Sequence, residues 1–244
     1  MEENSNQSVF LRQFNMYLPY YAQFGQDKYL NEEVFKNKRG GVFVEIGAYD
    51  GITLSNTYFF EKEMGWTGVC VEPIPERFSQ LKTNRKCICL NTVVSDKVGM
   101  ASFIHVTGGD RYEFIEDGEY PKIKGKEHTE MLSGLLDYYN QNHIKLIDKE
   151  IKELGGDKRE TDMECVLAEE VFNKLEKADI DYLSIDTEGS ELAILKTIDF
   201  DKFNIDVIGF ENLYPTHEEE EIMSKNGYGL IKRLGYDVIY RKQR

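Results

Sequence analysis

The residues best suited to chemistry in this sequence stand at the ends of short apolar runs. Val42-Phe43-Val44-Glu45-Ile46 leads into Gly47-Ala48-Tyr49-Asp50-Gly51, Gly68-Val69-Cys70-Val71 into Glu72, and Val93-Val94 into Ser95-Asp96. Further on, Ser184-Ile185 leads into Asp186-Thr187-Glu188-Gly189-Ser190-Glu191, and Phe210 into Glu211-Asn212. Gly47 and Gly51 allow a tight turn and a close approach of backbone to a ligand. Glu72 stands 21 residues after Gly51, where nucleotide-binding α/β sites place an acid that accepts hydrogen bonds from ribose hydroxyls. The loop reads G-x-x-x-G beside Glu45 and Asp50, not the G-x-G-x-x-G that cradles a pyrophosphate at a helix N-terminus. Carboxylates there repel phosphate and suit a nucleoside ligand that carries positive charge.

Asp186, Glu211 and Asn212 form an all-oxygen set that suits Mg2+ or Mn2+, and a cation there would lower the pKa of a substrate hydroxyl. The competing reading is that Glu211 and Asn212 only line a substrate pocket. Asp186 is also a candidate catalytic group, against the alternative that this segment only caps the next helix. Ser95 and Asp96 either reach an adenine or form the turn Asp96-Lys97-Val98-Gly99. Of the four histidines, His105 falls in a strand-like run, and His128 and His217 are the candidate general bases.

Elements that could position these groups alternate along the chain. A polar tail and an aromatic lead-in (Phe10, Phe14, Tyr17, Tyr20) occupy residues 1–20, and a helical pattern runs from Gln26 to Asn37. Strands are expected at Val42–Ile46, Gly68–Glu72, Cys87–Val94, Ala101–Val106, Met163–Leu167, Tyr182–Ile185 and Val207–Phe210. Helices are expected at Ser55–Met64, Pro75–Thr83 (with proline in its first turn) and Tyr138–Leu154, in a stretch ending at Lys177, and from Ser190. Tyr228–Tyr240 reads as a hairpin turning at Leu234-Gly235. Such alternation predicts a doubly wound, Rossmann-like α/β domain with a mostly parallel sheet and a closing antiparallel hairpin. Residues 21–244 then form one domain, with an insertion at 107–160 that shapes the substrate pocket.

Charge and composition narrow the partners. A net charge of −14 argues against nucleic acid and anionic membranes, and no apolar run approaches the ~20 residues of a membrane-spanning helix. The start, Met1–Gln7, lacks the basic and apolar parts of a secretory signal. Cys70, Cys87, Cys89 and Cys165 form no C-x-x-C pair and read as reduced thiols. The expected location is cytoplasmic, and self-association stays open.

These stretches resemble the FkbM family of S-adenosylmethionine (SAM)-dependent methyltransferases. The matching segments are Tyr21–Asp27, Phe43–Gly51, Ser55-Asn56-Thr57, Gly65–Gly68, Val71-Glu72-Pro73, Leu132-Ser133-Gly134-Leu135 and Ile185–Glu191. SAM, with its sulfonium and ammonium, also fits the acidic loop. The resemblance implies methyl transfer to oxygen, often on a sugar hydroxyl of a glycan, surface polysaccharide or glycosylated small molecule. The cofactor set then comprises Gln26, Glu45, Gly47, Ala48, Tyr49, Asp50, Gly51, Asn56, Glu72, Pro73, Ser95, Asp96 and Asp186. Two other readings compete: an NAD-dependent sugar-nucleotide oxidoreductase or epimerase, and a non-catalytic Rossmann-fold binding protein. The first predicts a Tyr-x-x-x-Lys pair placed at the site, and Tyr29 to Glu33 and Tyr182 to Asp186 both fail to supply it.

Overall fold

The computed structural model describes residues 19–108, 113–115, 122–124 and 129–243. Phe10, Phe14, Tyr17, Tyr112, Tyr120 and His128 lie outside them. In chain order the strands are β1 (Val42–Ile46), β2 (Thr67–Val71), β3 (Ile88–Leu90), β4 (Val93–Val94), β5 (Gly99–Thr107), β6 (Glu113–Ile115) and β7 (Lys122–Lys124). They continue with β8 (Gly134–Leu135), β9 (Asp157–Val166), β10 (Asp179–Ile185), β11 (Asn204–Glu211), β12 (Tyr228–Leu234) and β13 (Asp237–Lys242). The α-helices are α1 (Gln26–Tyr29), α2 (Tyr58–Lys62), α3 (Pro75–Asn84), α4 (Gln141–Leu154), α5 (Ala168–Phe172), α6 (Glu191–Thr197) and α7 (Glu218–Lys225).

A seven-stranded sheet in the order β12-β13-β11-β10-β1-β2-β3 forms the centre. β3, β2, β1, β10 and β11 run parallel, and β13 closes the sheet antiparallel to β11. Both faces are covered, as the near-continuous apolar runs require. On one face Val44, Ile46, Leu183 and Ile185 pack against Val171 and Phe172 of α5 and Ile194 and Leu195 of α6. On the other, Phe43, Cys70 and Tyr182 meet Phe59 and Phe60 of α2 and Leu81 of α3. This is the doubly wound α/β fold that the alternation predicts.

Four expected elements differ. Cys87–Val94 is not one strand: β3 stays beside β2, and β4 leaves to pair with β9 in a second sheet, β4-β9-β5-β8. Asn91 makes the break by donating its side-chain amide to the Glu72 and Pro73 carbonyls. The strand expected at Met163–Leu167 likewise belongs to that second sheet, as the end of β9, which runs antiparallel to β5 from Thr107↔Asp157 to Gly99↔Cys165. Helices α2 and α4 begin later than their periodicity suggests. Ser55 and Thr57 turn their hydroxyls to Glu45, and Asn140 accepts the N–H groups of Asn142 and His143 as the N-cap of α4.

Strand alternation sends Glu45 to the same face as Phe43, into a buried polar knot rather than toward solvent. Its carboxylate accepts from the Ser55 hydroxyl at 2.9 Å, the Asn56 N–H at 2.8 Å, the Thr57 hydroxyl at 2.7 Å and the Arg85 guanidinium at 3.0 Å. Arg85, whose side chain is fully buried, also pairs with Glu61 and donates to the Gly51 carbonyl. The knot ties β1 to the loop after it and to the segment leading into β3. Removing the cation strands two carboxylates, so Arg85→Met should lower the unfolding free energy by about 3–5 kcal/mol. Urea denaturation checks this; a midpoint equal to that of the wild type would show that the knot contributes nothing.

Candidate functional site

The carboxyl ends of β1, β2, β10 and β11 open onto a cavity of about 460 Å3, within the range of small-molecule sites. Sheet ends of this kind are where open α/β folds bind ligands. Ala48, Tyr49, Glu72, Pro73, Asp186 and Glu211 stand on its walls, and Leu132, Gly134 and Leu135 of the insertion cover part of it.

Glu72 is buried at the tip of β2. One carboxylate oxygen accepts the Tyr49 N–H and the other the Ile74 N–H, both at 2.8 Å. Burial pushes its pKa up to about 8, in spite of those two bonds. Tyr49 has a positive φ of 49°. Its hydroxyl donates to Glu130 at 2.9 Å, and Arg77 lies over its ring while pairing with Glu130. Burial raises Glu130, but bonds from His105, Arg77 and Tyr49 outweigh this and leave it below its ordinary value.

Beyond β10 and β11 the carboxylates crowd. Single oxygen atoms of Asp186, Glu188 and Glu211 all lie within 4.8 Å of one another. Asp186 is exposed to the cleft, whereas Glu188 and Glu211 are half-buried. Confinement and the neighbouring acids push all three pKa values well above the carboxylate range. Asp237, at the start of β13, is raised to about 6 by burial, although the Gln26 amide donates to it. The ends of these strands thus present a strongly acidic wall, suited to a cation and hostile to phosphate.

Several sequence-derived assignments need correction. Glu45 lines the cavity, but Arg85 neutralises it and its oxygens are already engaged, so it offers no free charge to a ligand. Gly47 (φ 86°) is required by the protein itself, because a Cβ there would lie 1.7 Å from the Asp186 carbonyl oxygen. Gly51 (φ 83°) similarly abuts Leu81 and Arg85. Asp50 is not on the cavity wall and accepts the N–H groups of Ile52 and Thr53, a local turn. Ser95 is buried and Asp96 takes the Tyr138 hydroxyl; Thr92, Val93 and Val94 form that wall instead. The Asn212 N–H donates to the Tyr236 carbonyl, and Leu213 rather than Asn212 lines the cavity. His217 is exposed at the start of α7, outside the cavity.

Gln26, Ala48, Tyr49, Asn56, Glu72, Pro73, Asp186 and Glu211 do converge on one cleft. Asn56 donates to the Ser184 hydroxyl at 3.1 Å, while its buried carbonyl oxygen has no partner. Sequence reasoning missed Glu188 as a third oxygen donor, although the D-x-E-G spacing after β10 contained the signal. It also missed Asp237 and Glu130, which reach the cleft only through the hairpin register and the folded insertion.

Residues 45–238 match the family described as methyltransferase FkbM domain. No curated protein sequence matches the chain. Among solved structures it is similar to a TehB-like SAM-dependent methyltransferase from Corynebacterium glutamicum, at 10% identity and TM-score 0.39, over 99% of this chain and 97% of that one. A precorrin-6y C5,15-methyltransferase from Geobacter metallireducens matches at 11% identity and TM-score 0.40, over 84% and 82%. A methyltransferase from Pyrococcus furiosus matches at 12% and 0.39, over 99% and 96%.

The raised acids set the pH dependence of folding. Glu72 ionises near 4.5 when unfolded but near 8 when folded, so between those values the folded state holds more protons and loses stability as pH rises. Asp237, Asp186, Glu188 and Glu211 act in the same direction. His143, held below its ordinary value by burial, acts in the opposite direction below about pH 6.5, one group against several. Calorimetry of the ligand-free protein should therefore show Tm falling from about pH 5 to above pH 8, less steeply in Glu72→Gln. A flat or rising profile would contradict this electrostatic picture.

Proposed function

The chain belongs to the FkbM methyltransferase family and is a SAM-dependent methyltransferase; we propose that its acceptor is a hydroxyl oxygen of a small molecule or glycan. A sugar in surface polysaccharide or glycoconjugate biosynthesis is the acceptor class that the family resemblance favours. The observation that carries the oxygen assignment is the trio Asp186, Glu188 and Glu211. A hydroxyl must shed its proton to attack, whereas a neutral amine need not.

The residues present fit the cofactor. Glu72 has each oxygen fixed by one backbone N–H and retains lone pairs for ribose hydroxyls. The acidic wall from Asp186 to Asp237 suits a sulfonium and an ammonium. When bound, SAM supplies a methyl group open to in-line attack. Glu72 and the loop at Ala48-Tyr49 hold the nucleoside end, and the insertion wall at Leu132–Leu135 keeps water from the reacting atoms. Catalysis then rests mainly on fixing the two reactants at near-attack distance.

The trio also fits Mg2+ or Mn2+, hard cations that take carboxylate oxygens. A buried Glu188 oxygen without any hydrogen-bond partner is the feature such an ion would satisfy. When bound, the cation would lower the pKa of the acceptor hydroxyl. Once ionised beside the cation, Asp186 would orient that hydroxyl and receive its proton.

Calorimetric titration with SAM tests the reading, with and without Mn2+. Glu72→Ala should weaken binding by about 10- to 100-fold, the loss of hydrogen bonds to two ribose hydroxyls. Glu211→Gln should abolish the Mn2+ effect on turnover and weaken SAM binding less than Glu72→Ala does. Unchanged SAM affinity in Glu72→Ala would overturn the assigned cofactor pose. Full methylation activity of the metal-free protein would overturn the role of the cation.

A further inference from the structure

We propose that His143, in the insertion, is a positioning residue that sets the Glu188 carboxylate within the cation-binding trio. The inference rests on the cation reading above and goes beyond it by assigning the insertion a role in building that site. Asp186 directly follows β10 and Glu211 ends β11, so the sheet ladder fixes both. Glu188 has no such support. It stands on the loop beyond β10 with a positive φ of 59°, and one of its buried oxygens has no hydrogen-bond partner.

His143 lies near that oxygen. Its side chain is 1% exposed, and Nε2 lies 3.9 Å from Glu188 Oε2. The Tyr139 ring packs on the imidazole, tilted by 32° at 4.3 Å between centroids, and Asn140 caps the His143 backbone N–H. Nε2 also lies 3.2 Å from the Leu132 carbonyl oxygen. A carbonyl can only accept, so Nε2 carries the hydrogen. Nδ1 is then a bare acceptor, buried without a partner. One N–H therefore faces two acceptors, the Leu132 carbonyl and the Glu188 carboxylate.

This gives the Leu132-Ser133-Gly134-Leu135 segment a physical role. Tyr139 donates its hydroxyl to the same Leu132 carbonyl at 2.6 Å. A Cβ on Gly134 would lie 3.1 Å from the Thr187 carbonyl oxygen and 3.0 Å from the Tyr139 ring. The cleft wall is thus pressed against the turn that carries Glu188, and His143 joins the two. At 3.9 Å the imidazole stands beside the Glu188 carboxylate without bonding to it in the empty site, and outer-shell groups so placed orient metal ligands and tune affinity.

The test is Mn2+ affinity, read from the free-ion electron paramagnetic resonance signal, with SAM affinity and Tm measured alongside. His143→Leu should weaken Mn2+ binding by roughly 10- to 100-fold and leave SAM affinity unchanged. His143→Gln, whose amide can present an N–H near the same place, should recover most of the loss. In a Glu188→Gln background, His143→Leu should have no further effect. Wild-type Mn2+ affinity in His143→Leu, equal loss of SAM affinity, or a persisting effect in the Glu188→Gln background would each overturn the proposal. Absence of Mn2+ binding to the wild type would overturn the cation reading itself, and this proposal with it.

Discussion

Carboxylates that end neighbouring parallel strands must stand beside one another, and most of this molecule's site follows from that constraint. Ile46 pairs with Ile185, and Ile185 with Phe210, so the residues after these positions emerge level. Two unit charges at 4.8 Å repel by on the order of 3 kcal/mol at the effective dielectric of a protein surface. That is several times thermal energy, so ionising all three acids of the trio is disfavoured until a cation joins them. The cleft is therefore a store of unfavourable charge that a positively charged ligand relieves.

The second sheet turns this open end into a cavity. β5 and β9 carry the insertion back over the strand ends, and β8 lays Gly134 and Leu135 along the wall. Two braces join the insertion to the central sheet. Glu130 holds Arg77 and the hydroxyl of Tyr49, whose N–H binds Glu72, and His143 stands 3.9 Å from Glu188. The insertion is thus tied to the cleft both at Tyr49 and beside Glu188.

Much of the fold was legible because apolar runs bounded by glycine specify a parallel sheet with few alternatives. β1, β2, α3 and the closing hairpin fall where period and turn signals put them. The strand at Cys87–Val94 was misread because both halves are apolar, and only the Asn91 side chain, bonded to distant carbonyls, breaks them apart. In the site, Glu72 was readable from spacing alone. Glu45 and Asp50 were not, since a carboxylate's type says nothing about its partners. Glu45 meets an arginine 40 residues away, and Asp50 closes on its own turn. His217 looked available because nothing in the sequence reveals which histidine the fold buries beside the acids; that residue is His143.

The most direct measurement of the central claim is the number of protons exchanged when SAM binds. It comes from calorimetry at pH 7 in several buffers of different ionisation enthalpy. A cleft of carboxylates held above their ordinary pKa values should release protons as the sulfonium and ammonium enter, with more released when Mn2+ is present. Binding without proton release, or with uptake, would show that the acids are already ionised in the free protein and that crowded charge does not organise the site.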